Sequence, residues 1–124
     1  MTSNPKLTIG MPVYNGELFI KKAIESILDQ TFTDFELIIS NNSSSDSTEK
    51  ICQDFIDKDN RIQIHTQKKN IGIHRNFNFL LSKAKGEYFA WAAVDDYLDN
   101  DFMEKNLKIL ESDKSVVSSV GKII

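Results

Sequence analysis

Two adjacent carboxylates, Asp95 and Asp96, follow the apolar run from Glu87 to Val94, with Asp99 and Asp101 close behind. Clustered carboxylates repel one another, and a divalent cation is a common reason to keep them together. Mg²⁺ and Mn²⁺ favour oxygen ligands and typically join one or two carboxylates to substrate phosphates. A metal held this way would neutralise a diphosphate and improve it as a leaving group. A solvated turn running into a helix start would also use acidic residues, and that reading suits Asp99 and Asp101. A second cluster, Asn41-Asn42-Ser43-Ser44-Ser45-Asp46, offers amides, hydroxyls and backbone N–H groups to a base or a phosphate. It has no glycine, so it is neither a P-loop nor a dinucleotide fingerprint, and an Asx or Ser turn capping a helix remains open. Tyr14, two residues after Pro12, can stack on a base or pack on a sheet edge. Arg75 follows the Asn70-Ile71-Gly72 turn and either reaches a phosphate or stands in solvent. His65, His74 and Cys52 lack metal-ligand spacing, which argues against zinc, and two isolated histidines make no catalytic triad.

Alternating elements must position these groups. Leu7 to Val13 reads as a strand, and Ile20, Ala23, Ile24, Ile27 and Leu28 repeat at helical spacing. Phe35 to Ile39 reads as a second strand. Asp46 with Glu49 has capping-box spacing before a helix carrying Ile51, Phe55 and Ile56, with Cys52 as buried filler. Ile62 to His65 alternates as a short strand. Phe77, Leu80, Leu81 and Ala84 mark a third helix, with Gly86 where a C-cap belongs. Glu87 to Val94 is nearly continuous in apolar residues, as a strand covered on both faces would be, with Trp91 in the core. Asp101 with Glu104 opens a fourth helix, and Val116 to Val120 reads as a fifth strand. This order predicts a mainly parallel α/β sheet with helices on both faces. Ligands then bind outside the carboxyl ends of the strands. The clusters at Tyr14-Asn15, Asn41 to Asp46 and Asp95-Asp96 therefore fall on one edge.

The chain's 124 residues suit one domain, expected over residues 1–124. One cysteine allows no internal disulfide, consistent with a reducing compartment. The net charge of −3 and the absence of a long basic run give no nucleic-acid footprint. The polar start lacks a signal-peptide core, and no apolar run reaches the roughly 20 residues of a membrane span. The expected location is the cytoplasm, or the periphery of the membrane's inner face.

Six segments in order carry a family resemblance. They are Ile9 to Gly16, Ala23 to Phe32 with Asp34-Phe35-Glu36, Asn41 to Thr48, Asn70-Ile71-Gly72 through Arg75-Asn76, Lys85 to Tyr88, and Val94-Asp95-Asp96. Together they resemble family-2 glycosyltransferases over residues 7–112. The resemblance implies a Rossmann-like GT-A fold, truncated before the acceptor half. It also implies a nucleoside-diphosphate sugar donor (UDP- or dTDP-sugar), a divalent metal (Mn²⁺ or Mg²⁺) and inverting transfer to a glycan or lipid-linked acceptor. By resemblance Pro12, Val13 and Tyr14 line the base pocket and Glu17 lies near the donor. Asn41, Asn42 and Ser44 form the nucleoside loop, Arg75 approaches the donor, and Val94, Asp95 and Asp96 serve the diphosphate, with Asp95 and Asp96 as metal ligands. The nucleoside loop usually carries an aspartate that accepts the pyrimidine N–H. Here Asn41 and Asn42 stand there, and an amide carbonyl accepts without charge assistance. Ala93 replaces the first DXD carboxylate, and the general base is expected beyond Ile124. A non-catalytic nucleotide-sugar-binding protein of the same fold is the alternative function. A nucleotidyltransferase lacks its glycine-rich loop here.

Overall fold

The computed structural model describes residues 4–95 and 98–113. The expected fifth strand at Val116 to Val120, and Asp96, lie outside the described residues. The chain alternates β1 (Leu7–Val13), α1 (Ile20–Leu28), β2 (Phe35–Asn41), α2 (Thr48–Ile56), β3 (Ile62–Thr66), α3 (Ile73–Lys83), β4 (Tyr88–Trp91) and α4 (Phe102–Ser112). The four strands form a parallel sheet in the order β3-β2-β1-β4. The order reverses at β1, whose neighbours are β2 and β4, so this strand sits at the switch point where such sheets bind ligands.

The two sheet faces differ. Leu7, Ile9, Met11 and Val13 alternate to one side and share an apolar core with Ile20, Ala23, Ile24 and Ile27 of α1, Cys52 of α2, and Met103 and Leu107 of α4. Each isoleucine buried here contributes on the order of 1.5–3 kcal/mol. The i, i+3, i+4, i+7 spacing in α1 is what delivers its four residues to one stripe. On the other face α3 packs over β1 and β2. There Gly10 leaves room for Phe89, because a Cβ at Gly10 would stand 2.6 Å from the Phe89 ring and 3.5 Å from Leu80. This second face is unusually polar. Thr8 donates to the Glu36 carboxylate at 2.6 Å, the same carboxylate accepts the Lys85 N–H at 2.8 Å, and Ser40 donates to Asn76 at 2.5 Å. Among the described residues every buried side-chain polar atom has a partner, as burial requires.

Four expectations need correcting. β4 is shorter than Glu87 to Val94, pairs only with β1 among the described residues, and has half-buried to exposed residues rather than ones covered on both faces. Trp91 is 47% exposed and packs against Phe77 and Phe89 rather than in the core. Gly86 does not cap α3, whose C-cap is the extended Ala84. It is small because it abuts β1, where a Cβ would meet the Thr8 nitrogen at 2.5 Å. Asp46 is not the α2 N-cap, which is Ser47.

Candidate functional site

β1 runs out at Val13, and the chain turns sharply through Asn15 in the left-handed region (φ 51°) before Gly16. β2 ends at Asn41, and Ser43 turns the same way (φ 63°). Asparagine tolerates this conformation better than most residues because its side chain can bond locally. The two turns are then zipped together. The Asn15 N–H donates to Ser44 Oγ at 2.8 Å, and the Ser45 N–H donates back to Asn15 Oδ1 at 2.9 Å. Gly16 N–H donates to Thr48 Oγ1 at 2.9 Å. Glu17 N–H donates to Asp46 Oδ2 at 3.2 Å, while Ser47 N–H donates to Glu17 Oε2 at 2.9 Å. A capping box makes this reciprocal exchange within one helix. Here the exchange joins two loops, and Glu49 takes no part in it.

Asp46 is the hinge of the zip. Its Oδ1 accepts from the Thr48 N–H at 3.0 Å and the Thr48 hydroxyl at 2.5 Å. Desolvation is the largest single influence and pushes the carboxyl upward. The bonds from the Thr48 hydroxyl, Thr48 N–H and Glu17 N–H together outweigh it and hold Asp46 below the usual carboxylate value.

Beside these turns a cavity of about 450 Å³ opens at the carboxyl edge of the sheet, within the range of small-molecule sites. Pro12, Val13, Tyr14, Asn42, Val94 and Asp95 line it, and Ile73, Asn76 and Phe77 of α3 form its far wall. The expected convergence of the ends of β1, β2 and β4 is therefore present. Tyr14 is 55% exposed, with its ring available to a ligand. Ala93 lines the same wall, so the position that would hold the first carboxylate of the motif faces the cavity with a methyl group.

The asparagines have other duties. Asn41 is fully buried, its amide donating to Thr66 and its carbonyl accepting from Ser44 N–H. Asn42 Nδ2 donates to Asn70 Oδ1 at 3.0 Å and its Oδ1 accepts the Ile71 N–H at 2.9 Å. Asn42 thus lines the cavity and braces the β3–α3 turn, while Asn41 ties the end of β2 to β3 and to the Ser44 turn. Arg75 does not line the cavity; it stands exposed on α3. Glu17 is exposed above the zip. Sequence reasoning assigned no role to Asn76, which is buried, donates to the Ser40 carbonyl and lines the cavity. Its signal was a polar residue four positions before Leu80, on the buried stripe of α3.

Among the described residues no group of three metal-ligating side chains converges. Asp95 supplies one exposed carboxylate at the cavity. That donor suits a hard cation whose remaining ligands are phosphate oxygens and water.

The Glycosyl transferase family 2 profile matches residues 8–123, and the chain belongs to that family. An uncharacterized glycosyltransferase of Haemophilus influenzae is 36% identical over 86% of this chain and 42% of its own. The minor teichoic acid biosynthesis protein GgaB of Bacillus subtilis is 32% identical over 95% of this chain and 13% of its own. The chain therefore spans less than half of either relative. Among solved structures, S. aureus TarS 1–349 in complex with UDP superposes with a TM-score of 0.80 at 24% identity, covering 86% of this chain and 32% of that one. The Pyrobaculum calidifontis mannosyltransferase PcManGT, in complex with GDP-Man and Mn²⁺, gives 0.80 at 20%, covering 88% and 33%. The fold is thus the α/β GT-A fold that the sequence implies. No helix among the described residues is long and apolar enough to cross a membrane.

Proposed function

We propose that the chain binds the nucleoside diphosphate of a sugar donor in the carboxyl-edge cavity. There it serves inverting sugar transfer to a glycan or lipid-linked acceptor in polysaccharide synthesis. The observation that carries this reading is the cavity itself, walled by the zipped β1–α1 and β2–α2 turns and by Asp95. Tyr14 offers a ring face for base stacking, worth roughly 0.5–1.5 kcal/mol for an aromatic pair. Pro12 and Val13 supply an apolar floor with fixed backbone. A divalent cation, Mn²⁺ or Mg²⁺, would be held by Asp95 and Asp96 with the diphosphate and would offset its charge. The TarS complex with UDP and the PcManGT complex with GDP-Man and Mn²⁺ support a nucleoside-diphosphate donor, and GgaB supports a polysaccharide product. A pyrimidine, UDP or dTDP, is the preferred nucleotide. With the Asn41 and Asn42 side-chain amides bonded within the protein, recognition of the base rests chiefly on Tyr14 stacking and the fit of the cavity. Titration calorimetry with UDP, dTDP, GDP and ADP, with and without Mn²⁺, tests the reading. Pyrimidine-selective, metal-dependent binding is expected, and a folded sample that binds none of the four refutes it.

A further inference from the structure

α3 begins at the mouth of the carboxyl-edge cavity, and its first residue is an isoleucine that the core does not use. Ile73 lines the cavity yet is 71% exposed. Phe77, one turn on, shares its flank of the helix and lines the cavity too. The turn that leads into Ile73 is firmly held. Asn42 Oδ1 accepts the Ile71 N–H and Asn70 Oδ1 accepts the Gly72 N–H, both at 2.9 Å. Within the helix, buried Asn76 donates to the Ser40 carbonyl at 3.2 Å. Ile73 is therefore fixed beside Asn42 with most of its side chain uncovered.

The sheet order gives the cavity a direction. Asn42 follows β2 and Asp95 lies beyond β4, with β1 and Tyr14 between them. On the donor-binding reading, on which this inference rests, the diphosphate and its cation lie at the Asp95 end. The base then points to the Asn42 end. Of the two apolar residues that α3 gives the cavity, Phe77 leans toward β4, its ring 4.7 Å from Trp91. That leaves Ile73 for the base. Uracil and thymine carry the same hydrogen-bonding groups and differ only by a methyl at C5. The amides of Asn42 and Asn76, bonded to Asn70, Ile71 and Ser40, cannot tell them apart, whereas an apolar contact can.

We propose that Ile73 is a specificity-determining residue of the nucleotide site. Its exposed side chain covers the C5 edge of the base and seats the methyl of thymine, so the donor carries thymidine diphosphate in preference to uridine diphosphate. Burying one carbon should favour a thymine nucleotide about fourfold. A closed hydrophobic pocket reaches about tenfold or more for one carbon; a wall open to solvent on one side gives less.

The test titrates the chain with dUDP, dTDP, UDP and 5-methyl-UDP in the presence of Mn²⁺. Within each pair only the methyl differs, so the 2′-hydroxyl does not enter the comparison. In the wild type the methylated member of each pair should bind about fourfold tighter. Ile73→Ala should bring both ratios below about twofold, because the methyl then meets no wall. Leu18→Ala, at an exposed position that does not line the cavity, should leave both ratios at the wild-type value. A nuclear Overhauser contact between the thymine methyl and the Ile73 methyl groups in the dTDP complex is a second readout that needs no variant. Equal affinities within both pairs, in a wild type that binds all four nucleotides, overturn the proposal and leave the donor reading standing. Ratios unchanged in Ile73→Ala, or thymine-methyl contacts to other side chains only, overturn it as well. A folded chain that binds none of the four refutes the donor reading, and this inference falls with it.

Discussion

Asn42→Asp is the sharpest perturbation, because it restores the acidic residue usual in the family's nucleoside loop while attacking the geometry seen here. Asn42 is 4% exposed. Its Oδ1 accepts the Ile71 N–H at 2.9 Å, which a carboxylate can also do. Its Nδ2 donates to Asn70 Oδ1 at 3.0 Å and faces the Gly72 carbonyl at 3.5 Å. An aspartate oxygen there would confront two acceptors. Asn70 cannot simply flip to donate, because its Oδ1 also accepts the Gly72 N–H at 2.9 Å. One lost hydrogen bond plus a buried carboxylate oxygen facing acceptors should cost about 2–4 kcal/mol. For a chain of this length that lowers Tm by roughly 8–16 °C. The new carboxyl is destabilised when charged, so its folded pKa lies above the ordinary unfolded value of about 3.9. The penalty is therefore complete above the folded pKa and shrinks as pH falls through it, because the protonated group can donate again. Thermal melts of both proteins at pH 7.5 and pH 5 measure this. A Tm equal to wild type at pH 7.5, or a deficit that widens at pH 5, would refute the claim that the Asn42 amide is committed to Asn70. Tighter UDP binding with no loss of stability would refute it as well.

Further outcomes follow from single contacts. Asp46→Asn should loosen the zip by about 1 kcal/mol at pH 7. Since the Asp46 pKa is depressed below 3.8 in the fold, the wild type's advantage is full above that value and is lost as pH falls through the folded pKa; a difference that stays constant from pH 7 to pH 3 would contradict this. Gly86→Ala drives a Cβ against the Thr8 nitrogen and Leu7 carbonyl carbon and should cost about 1–3 kcal/mol by overpacking, read as a lower urea midpoint with unchanged slope. Burial pushes the Cys52 thiol up to about 12, so iodoacetamide at pH 8 should leave the native chain unmodified and label it only in denaturant; rapid native labelling would place Cys52 outside the core. The helix start at Asp101 does not use its carboxylate as a cap, since Asp101 pairs with Lys105 at 2.9 Å, so Asp101→Ala should cost only about 0.5 kcal/mol.

The sheet and its helices were legible because their signals are local. The period of α1, the buried run of β2 and the alternation of β3 each announce an element without reference to any other. The convergence of three polar clusters was legible too, since parallel α/β topology puts strand ends on one edge. What failed depended on neighbours. β4 reads as a doubly covered strand from its apolar run, yet among the described residues Trp91 is half exposed and meets only the rings of Phe77 and Phe89. Gly86 reads as a helix stop, and only the approach of β1 reveals a packing role. The Asp46–Glu49 spacing is a capping signature, but Glu17 sits 29 residues before Asp46 in sequence and 3.2 Å away in space, and the long-range partner takes the bond. A sequence also does not show that the Asn41 and Asn42 amides bond to Thr66 and Asn70, or that of the two only Asn42 lines the cavity.

The central claim is that a nucleoside diphosphate and its cation occupy the carboxyl-edge cavity. Paramagnetic broadening by Mn²⁺ in the presence of UDP, followed in the amide spectrum of the isotopically labelled chain, tests it most directly. The account predicts selective loss of the Tyr14, Asn15, Gly16, Val94 and Asp95 signals. That loss should require UDP, be reversed by excess Mg²⁺, and spare Asp34, Lys85 and Glu87 at the opposite edge of the sheet. Broadening centred on that opposite edge, or the same broadening without nucleotide, would contradict it.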